Sequence, residues 1–264
     1  MLNQLFLREK IEYFSVLSYA DVRVIRSDIA ARENFTPKSV IIYLVPYYSG
    51  KTVNISKYAA AKDYHLYIRG LNDRLIRELS MLYPDKNFKG YGDSSPIDER
   101  LAALVGGLGL LGENNLLINE KYGSYVFIGE IITDTEPEIL GAKAPCALKR
   151  CHGCGICKKS CPTGHLENSA SECLSSITQR KGELSDYELE LMKKCGTVWG
   201  CDVCQDVCPY NKDAKITPIQ FFLEDRIEEL TEEALHSMSK EEFSARAFSW
   251  RGTKVLERNL TKTK

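Results

Sequence analysis

Two cysteine runs carry the chain's clearest chemistry. The first is Cys151, Cys154, Cys157 and Cys161 in the pattern C-x2-C-x2-C-x3-C, closed by Pro162. The second is Cys201, Cys204 and Cys208 in C-x2-C-x3-C, closed by Pro209. With Cys173 they account for eight of the ten cysteines. Thiolates at this spacing suit iron–sulfur clusters, and in two-cluster ferredoxins the fourth cysteine of such a run ligates the other cluster. Geometry demands the crossing, because three thiolates from one tight loop cover one cube face and the fourth points away. One 4Fe-4S cluster is therefore expected on Cys151, Cys154, Cys157 and Cys208. The other is expected on Cys161, Cys201 and Cys204, with Cys173 completing the set. Zinc and disulfides are the plainer alternatives. Zinc ribbons favour two isolated C-x2-C pairs, whereas here three ligands crowd one loop. Cys146 and Cys195 are surplus and read as ordinary thiols, and His152 as a loop residue near a cluster.

Clusters alone specify electron transfer, so the place where the electrons act must be sought in the rest of the chain. No cysteine precedes Cys146. That shift in composition suggests an α/β domain over residues 1–140, a ferredoxin-like domain over 141–215, and a C-terminal helical segment with a basic tail over 216–264. Acidic, Pro-containing Thr133–Ala144 would be the linker. The 264 residues are 44% hydrophobic and 27% charged, as in an ordinary globular protein. A net charge of −1 gives no global attraction to nucleic acid. No run of 18 apolar residues occurs, and Met1–Lys10 lacks the features of a signal peptide, so a reducing cytosol is the expected compartment.

The elements that must position the chemistry follow from periodicity. Ile11–Ser18 and Ser39–Tyr48 are apolar and β-branched, which predicts buried strands. Asp63–Leu82 carries Tyr67, Ile68, Leu71, Leu75, Ile76 and Leu79 at helical spacing, with Pro84 just beyond. Lys89–Asp93 predicts a short strand ending in a loop. Ile97–Val105 predicts a helix with Pro96 in its first turn, stopped by Gly106 and Gly107. Asn114–Asn119 and Ser124–Thr133 predict a hairpin. A helix is expected over Leu184–Lys194, and surface helices over Ile219–Leu230 and Thr231–Arg246.

Three stretches of the first domain could hold a reactant. Asp63, with Tyr64 and His65, opens a helix, where it could simply be a cap. Asp93 sits at a strand's end, where ligands bind in open α/β sheets, although a turn aspartate is the commoner explanation. Gly106–Gly112 does not match G-x-G-x-x-G and follows no strand, so a nicotinamide site is unsupported. Its glycines either admit a large planar cofactor or form a loop.

Taken together, these motifs resemble the epoxyqueuosine reductases. The resemblance runs from about Thr36 to Asn259. It rests on Ile55–Ala59 with Lys62–His65, Gly92–Arg100, Gly107–Asn114, Tyr122–Tyr125, Cys173–Gln179, Trp199–Gln205 and Ser249–Gly252. It implies an N-terminal α/β domain of the kind seen in reductive dehalogenases, holding cobalamin, followed by a two-cluster ferredoxin-like domain. Asp93 falls on the family's proposed proton donor. Lys57, Asp63, Tyr64, His65, Asn114, Leu117, Ile128, Ser175 and Asp202 fall on cobalamin-contacting positions, and Cys173 on the fourth ligand of the second cluster. The implied activity is reduction of epoxyqueuosine to queuosine in tRNA. The implied partners are tRNA and a low-potential donor such as ferredoxin or flavodoxin, acting on a monomer with no membrane association.

The chain departs from the family pattern in places. The loop from Cys161 to Cys173 is short, and Arg26 only loosely matches an expected arginine. The sequence stops where many members continue into helical repeats that help hold tRNA, so a short form is expected. Arg246, Arg251, Lys254, Arg258, Lys262 and Lys264 remain near the C-terminus, either contacting phosphates or forming a solvated tail. An electron carrier or redox sensor without its own substrate is the alternative of a different class. A cobalamin-dependent reductase of a small substrate, such as the free nucleoside or an organohalide, is the other.

Overall fold

The computed structural model describes residues 1–263. The chain divides into two compact units. One holds Met1–Pro46 and His65–His152, and the other holds Tyr47–Tyr64 and Gly153–Lys264. The expected boundary near residue 140 thus shifts to about 152, Tyr47–Tyr64 joins the cysteine-bearing unit, and 216–264 is part of that unit rather than a separate segment.

The first unit is built on a four-stranded sheet in the order β1-β2-β6-β3, with every neighbouring pair antiparallel. Its strands are β1 (Phe14–Ser18), β2 (Ser39–Pro46), β3 (Phe88–Gly92) and β6 (Val126–Thr133). The two-residue strands β4 (Leu110–Leu111) and β5 (Leu117–Ile118) pair separately. The predicted hairpin of 114–119 with 124–133 is therefore corrected. β6 lies centrally between β2 and β3, and Asn119 and Gly123 share only an isolated bridge. Because the sheet is antiparallel, the strand-end rule for open parallel sheets does not apply to Asp93.

Alternation along the strands sorts two faces. On one, Val40, Ile42, Leu44 and Ile132 meet Leu17, Ile97, Ala102, Ala103, Leu104, Leu108 and Leu117 in one core. Helix α4 (Glu99–Val105) covers this face. It is capped by Asp98, whose Oδ1 accepts from Leu101 N–H, so it begins after Pro96 rather than with Pro96 in its first turn. The other face carries α3 (Tyr64–Leu82), with α1 (Leu2–Arg8) supplying Phe6, which stacks on Phe14 at 4.5 Å. α3 approaches closely because the strands beneath it lack side chains. The Tyr43 ring lies over Gly129, its cross-strand partner, and donates to Asn72 Oδ1 at 2.7 Å. Asn72 lies over Gly90 and Ile68 over Gly92. Two short helices complete the unit, α2 (Ser27–Ala30) and α5 (Pro137–Leu140).

The second unit contains α6 (Ile156–Lys159), α7 (Leu174–Gln179), α8 (Asp186–Cys195), α9 (Val203–Asp206), α10 (Glu232–Ser237), α11 (Lys240–Ser244) and α12 (Thr253–Lys262). α8 opens with a capping box of Ser185 and Glu188. Its core gathers Ile55, Ala59, Val198, Trp199, Leu230, Phe248, Leu256 and their neighbours. The predicted helix over Ile219–Leu230 is a single 3-10 turn, Gln220–Phe222. The predicted basic tail is instead the amphipathic helix α12, which buries Val255, Leu256, Asn259 and Leu260. Lys264 lies outside the described residues.

A methyl group at Gly129 would overlap the buried Tyr43 ring. Gly129→Ala should lower unfolding stability by about 1–3 kcal/mol, the usual cost of overpacking a rigid core site. Gly70→Ala, at a helical position where the added carbon meets only the flexible end of Arg74 at 3.4 Å, is its comparison, and urea midpoints compare the two.

Candidate functional site

β3 delivers Asp93. The chain leaves the sheet after Gly92 and turns at Asp93 with φ at +69°, a left-handed conformation that aspartate tolerates better than most residues. Ser94 N–H donates back to Gly92 O at 2.9 Å, and Ser95 N–H to Asp93 O at 3.2 Å. The far side of the loop is fastened down. Ile25 and Arg26 N–H groups both donate to Pro96 O, Asp98 N–H donates to Arg23 O, and Arg23 pairs with Asp98. Arg26, the loosely matched arginine, pairs with Asp28 at 3.0 Å. The tip stays open, with the Asp93 side chain 61% exposed.

Ionisable groups converge on this tip within the first unit. His65 Nε2 is 3.4 Å from Asp93 Oδ2. Glu99 Oε2 accepts the Asp93 backbone N–H at 3.2 Å. Burial, followed by the charge of Asp93, pushes the Glu99 carboxyl up to about 7. Behind the loop, Ser95 Oγ donates to Glu130 Oε1 and accepts from Ile97 N–H. Glu130 is fully buried mid-strand in β6, and its Oε2 has no hydrogen-bond partner. Burial pushes it up to about 8. A groove of about 350 Å³ runs between α3 and β3, lined by His65, Arg69, Asn72, Lys89, Tyr91 and Ser94 among others. The larger cavity of this unit, about 640 Å³, lies around Tyr13, Ser15 and Leu140 and holds none of the expected site residues.

Three expected cofactor residues besides His65 lie in this unit. Asn114 is buried, its Oδ1 accepts from Leu116 N–H at 3.3 Å, and its Nδ2 has no partner. Gly112 permits this placement, since a side chain there would overlap Asn114 Oδ1. Leu117 belongs to the core, and Ile128 is half-buried against it.

The remaining five, Lys57, Asp63, Tyr64, Ser175 and Asp202, lie in the second unit. Ser56 Oγ and Lys57 N–H donate to the two oxygens of Asp202, the latter at 2.7 Å. Lys57 Nζ reaches Asp202 at 3.5 Å and Asp206 at 2.6 Å. Lys57 and Asp202 thus engage each other and brace 54–58 against the second cysteine run. Ser56 N–H donates to Trp199 O, Val198 N–H donates to Asn54 O, and Trp199 Nε1 donates to Tyr58 OH. Gly200, at φ +75°, is required there because a side chain would strike Ser56. Asp63 N–H donates to Ala245 O at 2.8 Å, Tyr64 meets Tyr58 edge-on, and Ser175 Oγ accepts from Gln179.

Among the cysteines, Cys157, Cys173, Cys201 and Cys204 stand near one another. Cys201 and Cys204 are partly buried, and that burial together with the neighbouring Cys173 thiol pushes both up to about 12. Cys204 also feels Cys157. The Cys161 thiol moves the other way: burial opposes ionisation, but N–H groups of Leu166, Thr163 and His165 and the Thr163 hydroxyl outweigh it. Cys195, which the sequence reading set aside, stands close enough to Cys161 and Cys201 to interact with both. Cys146 is structural, donating to Leu104 O at the end of α4. Among the described residues no three Cys, His, Asp or Glu side chains close around a point as they would for a single metal ion.

A family described as a 4Fe-4S double cluster binding domain matches residues 150–211. The epoxyqueuosine reductase of Cyclobacterium marinum is 32% identical over 218 residues, covering 78% of this chain and 68% of that protein. This chain belongs to the epoxyqueuosine reductase family. The Staphylococcus aureus family member is 32% identical over 209 residues, covering 75% of this chain and 53% of its own length. The chain therefore spans about half to two thirds of such curated relatives. A crystal structure of an epoxyqueuosine reductase with an epoxyqueuosine-modified tRNA-Tyr stem loop superimposes with a TM-score of 0.78 at 24% identity, covering 99% of this chain and 80% of that one. The fold is shared by the whole chain. No helix among the described residues is long and apolar enough to cross a membrane.

Removing Asp202 would leave the Lys57 ammonium, with only 10% of its side chain exposed, paired to Asp206 alone. Asp202→Ala should cost about 1–3 kcal/mol of unfolding stability as buried donors lose their acceptor. Asp206→Ala, at a half-exposed carboxylate, should cost about 1 kcal/mol or less. Anaerobic urea titrations compare the two.

Proposed function

We propose that this chain reduces the epoxide of epoxyqueuosine in tRNA to the alkene of queuosine, with two 4Fe-4S clusters and cobalamin as its cofactors. The observation that carries this reading is the Asp93 tip, an exposed carboxyl flanked by His65 and Glu99. Around it the chemistry needs an acid. Opening the epoxide to an alkene and water takes two electrons and two protons, and the developing alkoxide must be protonated. Asp93 is the group placed to do this.

The residues present fit both cofactors. The crowded thiols of Cys173, Cys201 and Cys204 suit iron, which holds thiolates ionised where burial alone would not. Cys161, Cys173, Cys201 and Cys204 would hold one cluster, and Cys151, Cys154, Cys157 and Cys208 the other. For cobalamin, the buried and unpartnered Nδ2 of Asn114 is a donor awaiting an acceptor of the kind a corrin amide side chain offers. Leu117, Ile128 and His65 would add to its contacts within the first unit, and the family resemblance assigns Lys57, Asp63, Tyr64, Ser175 and Asp202 to the same cofactor. Bound cobalamin supplies a cobalt that accepts electrons singly and passes them to carbon as a pair.

RNA recognition is supported by Trp250, 59% exposed with the Arg251 guanidinium stacked 3.7 Å above its ring. An exposed aromatic with a planar cation is the usual platform for an unstacked base. The expected basic cluster is smaller than its sequence. Arg258 donates to Arg180 O and Gly182 O, and Arg246 to Asp225 O. Lys254 and Lys262 remain exposed on α12. A ferredoxin- or flavodoxin-like donor acting on a cytosolic monomer completes the reading.

Anaerobic reconstitution should load about eight irons per chain, two cubanes, and Cys204→Ala should lose about half, read by iron assay and visible absorbance. Supplied with cobalamin, a strong reductant and an epoxyqueuosine stem loop, the protein should form queuosine faster than it does from the free nucleoside. Asp93→Asn should still bind cobalamin but turn over about 10²–10⁴-fold more slowly, the usual loss of a general acid. Full activity in that variant would remove Asp93 from the role.

A further inference from the structure

The proposed reduction consumes two protons, yet one carboxyl occupies the loop tip. Asp93 can give one proton and is then a carboxylate. The second proton needs a store close enough to reload it.

Glu99 is built into that position. Its Oε2 accepts the Asp93 backbone N–H at 3.2 Å, tying a second carboxyl to the root of the tip. Its other ionisable neighbours are accounted for. Asp98, beside it on α4, is paired with Arg23, and Arg100 donates to Asn115 O at 2.6 Å. Glu130 faces it from β6, held through Ser95 and buried with one oxygen unpartnered. His65 stands on the opposite flank of Asp93. Two carboxyls, those of Asp93 and Glu99, therefore belong to one strand end, with Glu130 behind them and His65 on the far flank of Asp93.

We propose that Glu99 is a positioning and proton-holding residue that keeps a proton beside Asp93 and returns it once Asp93 has protonated the opening epoxide. This rests on the epoxide-reductase reading above. Two carboxylates this close resist ionising together. Burial and the charge of Asp93 keep Glu99 protonated up to about pH 7, and burial keeps Glu130 neutral up to about pH 8.

The steps balance. As a C–O bond breaks, the Asp93 carboxylic acid transfers its proton to that oxygen and becomes a carboxylate. Glu99 then protonates Asp93, becomes a carboxylate itself, and recovers a proton from solvent. Asp93 delivers the second proton as the remaining C–O bond breaks, and the oxygen leaves as water. The two electrons come from an external low-potential one-electron donor through the clusters.

The test uses Glu99→Gln, which keeps an acceptor for the Asp93 N–H but no titrating proton, and Glu99→Asp, which restores one. With holoenzyme, chemical reductant and epoxyqueuosine stem loop, the wild-type rate should fall above about pH 7. Glu99→Gln should be at least about tenfold slower, part of the 10²–10⁴ carried by general-acid steps, and should lack that inflection. Glu99→Asp should regain it. Independently of turnover, infrared difference spectra of substrate-free protein between about pH 6 and pH 8 should show a carboxylic acid band titrating near 7. Glu99→Gln should abolish that band, while Glu130→Gln should leave it. A Glu99→Gln protein with wild-type rate and inflection, or with the band intact, overturns the proposal. Wild-type enzyme that reduces no stem loop at any pH overturns the substrate reading, and the proton's destination with it, whatever the infrared band shows.

Discussion

Thiols crowded into a buried loop cannot all ionise unless a cation is shared among them. That constraint organises the second unit. Cys201 and Cys204 feel Cys173, and all three are partly buried, so the native arrangement is costly for bare thiolates and favourable for thiolates on iron. The polypeptide around them is correspondingly over-fastened. Asn259 is fully buried and donates to both Thr178 O and Val198 O. Gly200 N–H donates to Thr178 Oγ1 at 2.9 Å. Residues 54–58 clamp the same run through Trp199 and Asp202. Without these bonds the second cysteine run would be a loop free to disperse its like charges.

The first unit solves the opposite problem. Here a negative charge must be avoidable at neutral pH, and the fold supplies carboxyls whose surroundings disfavour ionisation. Glu130 lies in the centre of a strand otherwise lined by Ile128, Ile131 and Ile132, and Glu99 lies at the first turn of α4. Of the three, only Asp93 is largely exposed.

The cysteine spacing and the Asp93 loop were legible in the chain because both are local. Ligand spacing within one loop, and a strand ending in Gly-Asp before a capped helix, need no knowledge of distant partners. What was missed depends on pairing across the sequence. Apolar runs at 114–119 and 124–133 looked like hairpin arms, but nothing local says that β6 inserts between β2 and β3. Residues 47–64 carry no mark of their membership in the cysteine-bearing unit, which rests on backbone bonds to Val198 and Trp199. Glu130 did leave a signal, a lone acid in an otherwise apolar strand. The α12 stripe of Val255, Leu256, Asn259 and Leu260 was likewise present, hidden among Lys, Arg and Thr.

The glycines of β3 have a consequence for motion. Gly90 and Gly92 let α3 descend onto the sheet, but they leave an edge strand of five residues with few side chains of its own to bury. Segments with little apolar contact and one unpaired edge open at lower free energy than the rest of their domain, and their amides exchange first. The aspartate at the end of β3 is therefore tethered to the part of the sheet that loosens most readily. Its reach toward a bulky nucleotide can come from fraying of the strand, while the core beneath α4 stays closed.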